Sequence, residues 1–140
     1  MFKKFNQWLS SASGLRRILN IYGPYLGAGV KVRYLAKDFR EARVEMKLRW
    51  FNRNYVGTHF GGSLFSMIDP FYMLLLMNSL GRDYIVWDAS AEIDFVKPGR
   101  GVVSAHFMVT DAMLAEIRDK TANGEKFLPT YEVNILDADG

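Results

Sequence analysis

NYVGTHFGGSLFSMID, residues 54–69, changes character at its paired glycines, Gly61 and Gly62. From Ser63 to about Ser79 the chain is apolar nearly all round, through Leu64, Phe65, Met67, Ile68, Phe71, Tyr72, Met73, Leu74, Leu75, Leu76 and Met77. This run predicts a helix with no solvent face, which other structure must enclose. Gly81 supplies its stop. Asp69 and Pro70 interrupt the pattern. An acid in an apolar helix needs a partner or a task. Pro70 cannot donate to the Ser66 carbonyl and crowds that turn, so a kink is expected beside the acid.

The segments around this helix alternate with period two. Val30, Val32 and Tyr34 share one side, and Lys31 and Arg33 take the other. Ala42, Val44, Met46, Leu48 and Trp50 oppose Arg43, Glu45, Lys47 and Arg49, the clearest strand pattern in the chain. Residues 84–96 place Ile85, Trp87, Ala89, Ala91, Ile93 and Phe95 on one side. A turn at residues 97–101 predicts a hairpin with the strand bearing Val103, Ala105, Phe107 and Val109. Asp111 is expected to cap a short helix carrying Met113, Leu114 and Ile117, with Asn123 and Gly124 ending it. A further strand carries Tyr131, Val133 and Ile135.

At the front, residues 2–22 read as an amphipathic helical arm with a Ser-rich break, resting on its own domain or, through Lys3, Lys4, Arg16 and Arg17, on a membrane surface. Residues 23–29 read as a Gly/Pro connector. At the back, Asp139–Gly140 is a hairpin signal with no strand after it, so a last strand is expected to be missing from the chain. The order predicts an α+β domain, a curved antiparallel sheet against one apolar helix. The expected organisation is an arm over residues 1–26 and a single domain over 27–140.

Composition narrows the functional classes. The chain has 140 residues, 49% hydrophobic and 24% charged, the balance of one globular domain. A formal charge of +3 is too small and too dispersed for a nucleic-acid footprint. No cysteine is present, which excludes disulfides, thiolate catalysis and cysteine metal sites. The two histidines have no carboxylate at metal-site spacing, so neither metal nor cofactor is expected. No secretion signal is read at the N-terminus, and a cytoplasmic location is expected. Residues 64–80 contain Asp69, Pro70 and Asn78 and fall short of the ~20 residues of a membrane span, so a buried helix is expected instead.

Strand, strand, glycine loop, buried helix and strands, with Gly-Gly, six residues and Asp at the helix start, resemble the hotdog-fold acyl-CoA thioesterases. The branch with the phenylacetate-pathway enzymes has a motif of the form Asn-x-x-Gly-x-x-His-Gly-Gly-x6-Asp. Asn54, Gly57, Gly61, Gly62 and Asp69 match it. The family's histidine position holds Phe60, with His59 one place earlier, and this variant also resembles a less characterised Phe-Gly-Gly sister group.

The resemblance implies hydrolysis of an acyl-CoA or acyl-carrier-protein thioester by a homodimer or a dimer of dimers (a homotetramer). The alternative it carries is a non-catalytic acyl or fatty-acid binding protein. A hotdog dehydratase would need a histidine–acid pair. For hydrolysis, Gly62 N–H, with Gly61, would hold the developing oxyanion at the helix N-terminus, or the glycines serve only the turn. Asp69 would be the general base or nucleophile, its pKa raised by apolar burial. Asn54 would orient the loop or bind water. His59, Phe60 and Ser63 would line the substrate site, with a cap the other use for Ser63. Arg53, Lys97 and Arg100 are candidates for the phosphates of coenzyme A.

Overall fold

The computed structural model describes residues 10–140, so the expected arm from residue 2 to residue 9 lies outside the described residues. The chain runs through α1 (Ala12–Leu19), α2 (Gly23–Ala28), β1 (Val30–Leu35), β2 (Glu41–Lys47), α3 (Gly61–Ile68), α4 (Phe71–Leu80), β3 (Val102–Met108), α5 (Asp111–Lys120) and β4 (Ile135–Leu136). One antiparallel sheet has the order β1-β2-β3-β4. Val30, Val32, Ala42, Val44, Met46, Val103, Ala105 and Phe107 turn one face into the core. The Leu64, Met67, Phe71 and Leu75 side of α3–α4 joins the same core. Phe71 is fully buried there, its ring 5.0 Å from Phe107 on the sheet and 6.4 Å from Tyr25 on α2.

Alternation locates β2 and β3 correctly. β1 departs from it: the register shifts between Val32 and Tyr34, so Leu35 turns inward and Tyr34 is exposed. A bulge inserts one residue and reverses the side-chain phase after it. β2 also stops before Leu48 and Trp50, leaving Trp50 exposed. Asn52 ends it. Its buried side chain accepts from Arg49 N–H at 2.7 Å and donates to the Lys47 and Ala28 carbonyls, both at 2.9 Å. That bond set turns the backbone out of the ladder.

The apolar run forms two helices rather than one, parted at Asp69–Pro70, because proline leaves the Ser66 carbonyl without its helical donor. By length and composition Gly61–Leu80 would suffice to cross a membrane. In this fold its sheet-facing side packs into the core. The expected enclosure is one-sided: Phe65, Ile68 and Met73 are half-buried and Met77 is exposed.

The open side has a cause in the sheet. The expected hairpin between residues 84–96 and β3 does not form. β3 pairs with β2 along its whole length, and with β4 at Ser104 and Ala105, while residues 84–96 carry no ladder. Ile85, Trp87, Phe95 and Val96 are exposed, and only Tyr84, Val86 and Ile93 reach the core. β4 is likewise reduced to two residues, although Tyr131 and Val133 pack at the edge of the core.

Two smaller differences have local causes. Residues 23–28 are helical instead of a connector, since Pro24 suits a first helical turn and Gly29, at φ 78°, closes the last. Thr110 rather than Asp111 caps α5, accepting from Met113 N–H at 3.2 Å. The arm is joined to the sheet at Asn20, which donates to the Val32 carbonyl at 3.0 Å and accepts from Val32 N–H at 2.8 Å. It thereby satisfies the outward backbone groups of an edge strand.

Phe71→Ala removes the ring shared by the helix, the sheet and α2. It is expected to lower unfolding free energy by about 3–5 kcal/mol, measured by urea denaturation.

Candidate active site

The Gly-Gly turn is built by its neighbours. Asn54 closes the preceding loop: its side chain donates to Thr58 Oγ1 at 2.8 Å and to the His59 carbonyl at 3.3 Å. Its oxygen accepts from Val56 N–H at 3.2 Å and Thr58 N–H at 2.9 Å. Asn54 therefore orients the loop and has no hydrogen-bonding capacity left for a water.

His59 is 3% exposed. Its backbone N–H donates to the Gly99 carbonyl at 3.0 Å, and Nε2 lies 2.9 Å from the Gly101 carbonyl. Facing a carbonyl, Nε2 carries the hydrogen, which leaves Nδ1 a bare acceptor in the neutral ring; Nδ1 is buried without a partner among the described residues. His59 thus clamps the glycine loop to the turn before β3.

Phe60, half-exposed, stands at the N-cap of α3 without a side-chain cap. Its carbonyl accepts from Ser63 N–H at 3.0 Å and Leu64 N–H at 3.1 Å. The Gly61 and Gly62 N–H groups, first in the helix, have no acceptor among the described residues. Both glycines lie against half-exposed phenylalanine rings that a side chain would have to displace. A Cβ on Gly61 would meet the Phe95 ring at 2.9 Å, and one on Gly62 the Phe60 ring at 2.6 Å. Ser63 is buried and its carbonyl accepts from Ser66 Oγ. A cleft of about 360 Å³ opens here, between Asn54, Thr58, His59 and Gly61 on one side and Phe95 and Lys97 on the other. A larger hollow of about 1030 Å³, between α1 and the β1–β2 turn, shares no residue with it.

Asp69 closes α3, seven residues past Gly62 and about 10 Å along the helix axis. Contrary to the expected burial, Asp69 is exposed and its carboxylate makes no hydrogen bond among the described residues, because it lies on the uncovered side of the helix. Its charge reaches two groups that alternation and composition did not single out. Burial, then Asp69, push the Asp88 carboxyl up. Burial, then Asp69, then Tyr22, push the Tyr25 phenol up. Asp88 sits in an alternating segment where its charge reads as a solvent-side residue; Tyr25, an aromatic inside a Gly/Pro stretch, was the more visible signal.

The remaining candidates are scattered. Lys97 pairs with Asp137 at 3.1 Å, while Arg53 and Arg100 are exposed. His106 meets Glu41 at 2.8 Å on the outer sheet face, and that bond, with Arg43, holds the Glu41 carboxyl below its usual range. Among the described residues no group of three acidic or histidine side chains could hold a metal.

The sheet-and-helix arrangement is the hotdog fold. It is shared with a solved Pseudomonas aeruginosa protein of unknown function described as a probable thioesterase, at 18% identity and a TM-score of 0.75, covering 89% of this chain and 83% of that one. The chain belongs to the family described as Domain of unknown function (DUF4442), which matches residues 12–140. Weaker likenesses are to the Escherichia coli PaaI protein of the phenylacetic acid degradation operon and to thioesterase superfamily member 2 of Mus musculus. The first has 21% identity, a TM-score of 0.49 and coverage of 66% and 64% of the two chains. The second has 19% identity, a TM-score of 0.44 and coverage of 68% and 71%. No curated protein matches.

An acid whose pKa is raised in the fold destabilises it only where it is ionised. Asp88→Asn is therefore expected to raise Tm at neutral pH, and the gain should vanish as pH falls below the ordinary value of 3.8. Calorimetry across pH reads both limbs.

Proposed function

We propose that the protein hydrolyses acyl thioesters, of coenzyme A or of an acyl carrier protein. The observation that carries this reading is the pair of unengaged N–H groups at Gly61 and Gly62, opening a helix whose only carboxylate is Asp69. Two orphan donors at a helix N-terminus favour the charge that develops on a thioester oxygen. Gly62 holds that oxygen, with Gly61 beside it. Asp69 takes the proton of the attacking water as the C–S bond breaks and the thiol leaves. Alternatively it attacks the carbonyl itself, releasing the thiol and forming an acyl anhydride that water then hydrolyses. The separation along the helix leaves room for a thioester carbonyl and its water. Asn54 and His59 hold the loop. The bare Nδ1 of His59 accepts from a donor in the substrate arm or from a bound water, and Phe60 and Phe95 border the acyl path.

The same geometry motivates a second reading, acyl binding without turnover. Phe60 stands where the related motif has histidine, and its ring lies against Gly62. Thiol release from a panel of acyl-CoA esters separates the two. Hydrolysis by the wild type and a fall in kcat of at least about a hundredfold in Asp69→Ala are expected. Tight acyl binding with no release at any chain length would establish the second reading.

The working form is a homodimer, itself able to pair into a tetramer. Ile85, Trp87 and Phe95 are exposed on a segment without a ladder, and α4 exposes Met77. A second copy that pairs with this segment buries both. Light scattering is expected to give a dimer or tetramer mass, and Trp87→Glu to shift it toward the monomer.

A further inference from the structure

Tyr25 has a property its surroundings do not explain. It is 2% exposed, and its hydroxyl has no hydrogen-bond partner among the described residues. A buried hydroxyl without an acceptor carries a desolvation cost of about 1–3 kcal/mol, so its position calls for a reason. The ring is fixed from two sides. It stacks on Phe71 at 6.4 Å and meets Tyr22 edge-on at 5.9 Å. Phe71 is two residues beyond Asp69, and α2, which carries Tyr25, packs against α3, the helix that Asp69 closes. The carboxylate there is the complement of the hydroxyl, an acceptor with no donor. Asp69 is also the leading charged influence on Tyr25.

We propose that Tyr25 is a positioning residue for Asp69, its hydroxyl donating to the carboxylate directly or through one water. An exposed Asp69 is free to turn between solvent and this donor, and the bond selects the inward arrangement. Closing the helix face against a second copy strengthens it by removing competing water. The role as a positioning residue rests on Asp69 being the base of the proposed hydrolysis; the bond itself does not. Two other titratable groups enter. The Asp88 carboxyl is pushed up by burial and then by the charge of Asp69, and the Tyr22 ring meets Tyr25 edge-on.

Tyr25→Phe keeps the ring and removes the donor. Carbon-detected NMR titration of Asp69, read in wild type and variant, needs no turnover. A hydrogen bond to the charged form lowers a carboxyl pKa, so the variant is expected to raise the proton affinity of Asp69 about tenfold. In a hydrolysing enzyme the acid limb of kcat should move to higher pH by the same interval, with KM unchanged. Folding free energies of Tyr25→Phe, Asp69→Ala and the double variant should show coupling.

An unchanged Asp69 midpoint, or a Tyr25→Phe protein more stable than wild type with no coupling, overturns the proposal even if hydrolysis is vigorous. A shifted midpoint in a protein that hydrolyses nothing retains the bond and removes the thioesterase reading. Should Tyr25→Phe fail to fold, Asp69→Ala reads the bond from its other end. Faster exchange of the Tyr25 hydroxyl proton supports it, and an unchanged rate overturns it.

Discussion

A helix apolar on every side, laid against a sheet that covers one side, is the constraint from which the rest of this structure follows. The covered side is settled by Phe71, whose ring is shared by β3 and α2. Because Phe71 cannot move without opening the core, the turn before it is held too, and with it Asp69 and Pro70. The uncovered side carries Phe65, Met73 and Met77, and residues 84–96 add no strand to the sheet. Core packing thus fixes the backbone that bears the acid, and incomplete covering leaves its side chain accessible.

The glycine loop is held by a different kind of bond. Four polar contacts of Asn54, two carbonyl bonds of His59 and the strand-ending bonds of Asn52 fix its backbone before α3 begins. Satisfied side-chain-to-backbone networks of this sort make a loop as well placed as a regular element. Preorganised donors are what oxyanion stabilisation requires, since nothing has to reorganise when charge appears. The two phenylalanine rings set the other limit, because they occupy the space where any side chain on Gly61 or Gly62 would go.

Much of this was legible in the residue order. Ala42, Val44 and Met46 announce β2 because one buried face forces period two, and the long apolar run announces α3 and α4. Tyr34 was misplaced because a bulge leaves no mark on composition. Trp50 continues the alternation in sequence, yet the ladder has already been ended by bonds from a side chain two residues ahead. Residues 84–96 have the pattern of a strand, and pattern alone does not supply a neighbour. At the site, Gly61, Gly62 and Asp69 could be picked out by residue type and spacing. Hydrogen-bond partners and exposure could not. The locked state of Asn54, the inward clamp of His59 and the nearness of Tyr25 and Asp88 to Asp69 all depend on chain segments far apart in sequence.

Asn20 occupies both outward backbone groups of Val32 in the middle of β1. A foreign strand arriving at that margin finds the central donor and acceptor of β1 already taken, so the chain guards this edge against non-native extension with a side chain of its own.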